Sequence, residues 1–219
     1  MTQAGYAELQ CLTNFTFLEG ASHAAELVAR AKALGLAALG VADRNSLAGV
    51  VRAHTAAKEA GVRLLVGARL DFRDAPSIIA YPSDRAAYGR LSQLITLGRR
   101  RAAKGDCALH LDDLLADAGG QVLIVLSEDA PIEATPLQPP PMKGGGFSPS
   151  PSMGEGRGEG EAAGTPVEKT LHRLKAAADP GHLYLAASHR HRGDDRARIA
   201  EAAALAERAG IGGGLEAVE

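Results

Sequence analysis

The sequence predicts an α/β protein built on a mostly parallel sheet. Three observations carry that expectation. Strand-like and helix-like segments alternate from Ala7 onward. The second strand-like run, Ala37–Ala42, has almost no polar alternation, the pattern of a strand covered on both faces. That run ends at Asp43, and parallel α/β proteins place their chemistry at such strand ends.

Each element follows from local signals. Ala7–Leu12 reads as a strand. Ser22 is a plausible N-cap for a helix with Leu27, Val28, Ala31 and Leu34 on one face, and Gly35 stops it. Ser46 can cap a second helix, with Leu47, Val50, Val51, His54 and Ala57 as its apolar stripe and His54 packed half-buried on it. Arg63–Leu70 and Ser77–Tyr81 read as strands. Asp84 opens a helix carrying Tyr88, Leu91, Leu94 and Ile95; Asp112–Ala118 is a short helix; Gln121–Leu126 is a buried-strand run. Between 129 and 166 Pro, Gly, Ser and Glu dominate, and little there can be buried to offset ordering entropy, so a disordered insertion is expected. Its Gly144–Gly146 run lacks the Lys-Ser/Thr and helix of a phosphate loop. Helix Val167–Ala178, strand His182–Ala187 and helix Asp194–Ala209 follow, then an irregular tail over 211–219. The expected organisation is therefore 1–128 and 167–210 as two parts of one domain, separated by the insertion and followed by the tail. About six strands are countable, short of a closed eight-strand barrel, so the sheet is expected to lack its last units. An open sheet edge of that kind invites aggregation.

Composition excludes several classes. A net charge of −2 gives no global pull toward nucleic acid. The two cysteines, Cys11 and Cys107, form no CxxC, which disfavours a Cys-based zinc site and fits a reduced cytoplasmic setting. No signal-peptide pattern and no membrane-length apolar run is present.

The segments YAELQCLTNFTFLEGASH, ALGVADRNSLAGVVRAHTAAKEAG, LLVGARL, DRAAYGRLSQLITLGRRRAAKG and HRGDD resemble the N-terminal PHP (polymerase and histidinol phosphatase) domain of bacterial C-family DNA polymerases, most closely the error-prone, damage-inducible branch. The resemblance implies a PHP-type distorted (β/α)7 barrel, here expected to be incomplete at its C-terminus. It implies membership of a polymerase that extends primers past lesions in DNA repair, with the polymerase carboxylates in regions this chain does not hold. Active relatives carry a metal cluster on a His-x-His pair, an acidic residue, an Asp-His pair and a glutamate. Those positions fall on Gln10 and Leu12, on Glu19, on Asp43 and Arg44, and on Arg69. Leucine cannot ligate, and two guanidinium groups bring positive charge into a cation site. Only Glu19, His23, Asp43 and His189 remain as candidate ligands. The domain is thus expected to be non-catalytic, to need no cofactor and no small-molecule substrate, and to partner the rest of a polymerase and, through it, DNA. The alternative is a PHP phosphoesterase or 3′–5′ exonuclease using Mn, Zn or Mg.

Other residues have two readings. Asp43 is either an old metal position or a carboxylate capping the next turn. Arg44 is expected to pair internally with Asp43 and Glu19. His23 is a first-turn surface residue or a leftover ligand. His189 and His191, one residue apart, can point the same way on an extended segment, although Gly193–Asp195 reads first as a turn and helix start. Arg99, Arg100, Arg101 and Lys104 are a solvated helix end or a contact with the DNA backbone.

Overall fold

The computed structural model describes residues 5–127, 165–188, 193–211 and 217–218. Its elements are β1 (Ala7–Cys11), α1 (Ala24–Leu34), β2 (Ala38–Arg44), α2 (Val50–Ala60), β3 (Leu64–Leu70), β4 (Ile78–Pro82), α3 (Arg85–Arg101), α4 (Leu111–Leu115), β5 (Gln121–Leu126), α5 (Pro166–Ala177), β6 (Leu183–Ser188), α6 (Asp195–Ala209) and β7 (Ala217–Val218). The strands form one curled sheet in sequence order. Pairing is parallel at β1–β2, β2–β3, β5–β6 and β6–β7. It is antiparallel on both sides of β4. The expected parallel pairing therefore holds among the described strands except around β4. Leu70 pairs with Ile78 across a link too short for a parallel crossover, so the chain must turn back as a hairpin. Residues 217–218, expected to lie in an irregular tail, pair with Ala187 and Ser188.

Burial follows the strand period of two. Ile78 and Ala80 point toward the helices and join Leu70, Leu91, Leu123, Leu171 and Leu174 in the main core. Ile79 and Tyr81 point to the concave side with Ala42, Ile124 and Leu126. Tyr81 crosses that side and its hydroxyl donates to the Leu9 carbonyl. Gly40 and Gly67 leave room for it: a Cβ on either would stand 2.3 and 2.6 Å from Tyr81 atoms. In β2 every residue from Ala38 to Asp43 is buried.

Several helix starts differ from expectation, each for a local reason. The Ser22 carbonyl accepts from Asn14 N, and His23 becomes the N-cap of α1, its N–H donating to Glu26 Oε2 at 2.8 Å. Ser46 caps nothing helical; its hydroxyl accepts from Ala48 N in a turn, and α2 begins only after Gly49. That delay rotates the stripe: Ala53 and Ala57 are buried, Val51 is 74% exposed and His54 is exposed rather than half-buried. Leu34 is likewise exposed. The short helix begins at Leu111, because Asp113 accepts from His110 N at 2.9 Å. Two expectations hold in detail. Gly35 closes α1 with φ 69°, and Asp84 caps α3 by accepting from Ala87 N at 2.7 Å.

Candidate functional site

The ends of β1, β2 and β3 come together at one rim of the sheet, and the β1–α1 loop folds over them. Asp43, 1% exposed, anchors that loop. Its Oδ1 accepts from Thr13 N and from the Thr16 hydroxyl, and its Oδ2 from the Thr13 hydroxyl, all at 2.8 Å. The two threonines pass the network on: Thr13 Oγ1 accepts from Phe15 N at 3.2 Å and Thr16 Oγ1 from Arg44 N at 3.0 Å. Gly49 closes the other side of the carboxylate, since a Cβ there would stand 2.4 Å from Asp43 Oδ2. Asp43 thus acts as a cap for the loop, held by hydroxyl and amide donors.

Above it lies a charge lattice. Arg44 donates to Glu19 at 2.6 Å and to Asp71. Arg69 donates to Asp71 at 3.1 Å and lies 3.8 Å from Glu19. Asp71 also accepts from the Ser77 hydroxyl at 2.8 Å, and its N–H donates to Asn45 Oδ1 at 3.0 Å. Asn45 sits at φ 47°, a left-handed conformation that asparagine tolerates better than most residues. Arg99 ties α3 to this turn by donating Nε and Nη2 to the Asn45 carbonyl. Burial alone would lower the Arg44 pKa, but the Asp71 and Glu19 carboxylates outweigh it and raise the pKa.

The internal pairing expected for Arg44 therefore has a different partner set. Arg44 binds Glu19 and Asp71, while Asp43 is taken by threonines. Two arginines and two carboxylates balance, so the positive charge that Arg44 and Arg69 bring to the rim is neutralised within it. Asp71, Thr13, Thr16 and Ser77 are the members that sequence reasoning missed. Only Asp71 left a signal, an acid directly after the strand-like run Arg63–Leu70, as Asp43 follows the run Ala37–Ala42. Gln10 and Leu12 stay outside the lattice, and His23 is exposed at the α1 start. His189 and His191, like the 129–164 stretch, lie outside the described residues. Among the described residues no three His, Cys, Asp or Glu side chains are grouped as a metal site would require. The donor set that is present does not fit a cluster of divalent cations: its free-facing carboxylates already hold guanidinium groups, and Asp43 already holds three donors.

The basic run on α3 divides. Arg99 is committed to Asn45, and Arg101 grips Asp113 with two bonds of 2.6 and 2.9 Å. Arg100 and Lys104 are exposed. Cys11, on β1, is pushed up to about 11 by burial first, then by Glu8 and Asp43.

The curled mixed sheet with its flanking helices defines a class of α/β scaffold shared, in fold alone, with solved structures of other proteins. The fold matches a structure assigned as a metal-dependent phosphoesterase from Bifidobacterium adolescentis, with TM-score 0.60 and 15% identity, covering 97% of this chain and 87% of that one. It also matches an amidohydrolase from Chromobacterium violaceum with TM-score 0.56 and 15% identity, covering 94% and 84%. The chain belongs to the PHP domain family, which matches residues 8–140. In sequence it is similar to the error-prone DNA polymerase of Caulobacter vibrioides, 58% identical over 122 residues, which is 55% of this chain and 11% of that protein. It is 41% identical over 212 residues to error-prone DNA polymerase 1 of Agrobacterium fabrum, covering 96% of this chain and 16% of that protein. The chain thus spans only 11–16% of the length of these relatives. No helix among the described residues is long and apolar enough to cross a membrane.

Proposed function

We propose that this chain is the PHP module of an error-prone DNA polymerase and that its own strand-end site is not catalytic. Kinship to the polymerases supports the first half. The second half is carried by one observation: Arg44 and Arg69 clasp Glu19 and Asp71 where a metal-dependent relative would present ligands to cations. The module works by shape. Its lattice pins the β1–α1 loop to β2 and β3, giving a rigid rim against which the rest of a polymerase can pack, and through that body it serves DNA synthesis past lesions in the cytoplasm. No divalent ion and no small-molecule substrate enters this role.

Metal analysis of the purified chain together with a phosphodiester assay in manganese tests the catalytic half. The expected result is no stoichiometric metal and no turnover above buffer. Bound metal with turnover that vanishes in Asp43→Ala overturns it in favour of the phosphoesterase or exonuclease reading. Sequencing the DNA flanking the gene tests the first half, with a polymerase body in the same transcription unit as the expected finding.

A further inference from the structure

The concave side of the sheet carries a hollow far from the rim. It lies at the opposite end of the strands: Arg63 precedes β3, Val122 and Tyr184 are the second residues of β5 and β6, and Pro82 is the last residue of the antiparallel β4. Its volume is about 550 Å³, within the range of small-molecule sites. Leu9, Leu65, Val122 and Ile124 form an apolar floor. The strand period of two sets them on the face turned away from the main core.

Four polar side chains line the hollow, and two are committed. The Tyr81 hydroxyl donates to the Leu9 carbonyl, and the Ser83 hydroxyl to the Gly120 carbonyl at 2.8 Å. The Tyr184 hydroxyl and the Arg63 guanidinium make no hydrogen bond or ion pair among the described residues. No acidic side chain among the described residues lines the hollow, so the Arg63 charge is unbalanced there. Shape and polarity narrow what can fill it. Two hollows brought face to face about a two-fold axis leave each other empty, which disfavours a second copy. A peptide strand would bury its N–H and C=O groups against a floor whose own backbone groups are spent in the β4–β5–β6 pairing. An apolar body with one anionic head meets neither obstacle. A carboxylate suits that head, because a guanidinium receives it through two parallel bonds.

We infer that this hollow binds a free apolar monocarboxylate of the fatty-acid class, with its head on Arg63 and the Tyr184 hydroxyl and its body on Leu65, Val122 and Ile124. The site needs no metal, shares no residue with the arginine–carboxylate lattice, and makes or breaks no bond. It goes beyond the polymerase reading and does not rest on it.

Isothermal titration of the full chain with decanoate, below its micelle concentration and at neutral pH, tests it. Wild type should bind saturably, one decanoate to each chain, and melt at a higher temperature when loaded. Arg63→Gln should weaken binding about tenfold, because a charge-assisted bond gives way to a neutral one. The same variant should leave the melt of the unloaded protein unchanged, since Arg63 has no partner to lose. Tyr184→Phe should weaken binding severalfold. Val122→Trp fills the hollow from its partly buried floor and should abolish binding. Arg30→Gln, exposed on α1, should bind as wild type. Decyltrimethylammonium, with the same tail and the opposite charge, should bind far more weakly than decanoate. Absence of saturable heat overturns the inference, and so does wild-type affinity in Arg63→Gln. Equal affinity for the two head groups overturns it in favour of plain apolar uptake. A dimer in sedimentation that Val122→Trp dissociates overturns it in favour of a second copy on this face. Each of these outcomes leaves the polymerase reading to the flanking DNA.

Discussion

Replacing Asp43 by Asn tests whether this carboxylate is a loop anchor or a ligand. The amide oxygen can keep the Thr13 N–H and the Thr16 hydroxyl, but both bonds lose the help of a negative charge. The new NH2 faces Thr13 Oγ1, which already accepts from Phe15 N, so the Thr13 hydroxyl hydrogen loses its acceptor. Bonds to a charged group contribute about 1.5–3 kcal/mol and neutral ones about 0.5–1.5 kcal/mol. Two bonds weakened by about 1 kcal/mol each and one lost bond of about 1.5–3 kcal/mol sum to about 4 kcal/mol. Asp43→Ala, which strands buried donors as well, should cost at least about 4 kcal/mol. Against a total stability of about 5–15 kcal/mol these are large fractions. Urea unfolding followed by circular dichroism should show the midpoint of the Asn variant lowered by about 1 M or more, at unchanged slope. The loss should be equal in EDTA and in manganese. A ligand role gives a different signature: manganese at a hundredfold excess over its Kd would stabilise the wild type by about 2.7 kcal/mol, and the Asn variant would lose that gain. That outcome refutes the anchor argument.

Gly49→Ala pushes a methyl group toward Asp43 Oδ2 and Thr13 Oγ1 and should destabilise by about 1–3 kcal/mol in the same urea assay, without altering the helix content of α2. Tyr81→Phe removes the hydroxyl bond to Leu9 and should cost about 1 kcal/mol, read as a lowered melting temperature. Cys11, raised from 9.0 to about 11, should hold roughly a hundredfold less thiolate than an ordinary thiol at neutral pH, so mass spectrometry should find iodoacetamide labelling of native protein far slower than of urea-unfolded protein. Asp113 is held below the usual carboxylate range chiefly by its hydrogen bond from Arg101. Its stabilisation is therefore present above the unfolded-state pKa of about 4 and fades as pH falls through the lower folded value, so Asp113→Asn should flatten the acid limb of a stability–pH curve.

Sequence periodicity revealed the strands and most helices because burial imposes it directly: the unbroken apolar run of β2 and the Leu91–Ile95 face of α3 needed nothing else. The reversal at β4 was legible too, had the short link after Leu70 been weighed against the length a crossover needs. Helix starts escaped because competing short-range bonds decide them: Asn14 N claims the Ser22 carbonyl, and Ser46 serves a turn with Ala48 N. At the rim, the motif positions pointed to Glu19, Asp43, Arg44 and Arg69, yet not to who pairs with whom. Thr13 and Thr16 reach Asp43 across some thirty residues of chain, a distance at which spacing carries no information. Asp71 sits outside the positions that the family resemblance named, so only its place at a strand end could have raised it.

The reversed strand has a kinetic consequence. Leu70 meets Ile78 after closing a very short loop, whereas Leu39 must find Leu64 across a whole helix. Closure entropy favours the nearer partner, so among the described strands β3 and β4 form the pairing with the shortest loop to close. The order of assembly would then run outward from the middle of the sheet, and the link that makes the first turn is the same one that delivers Asp71 and Ser77 to the rim.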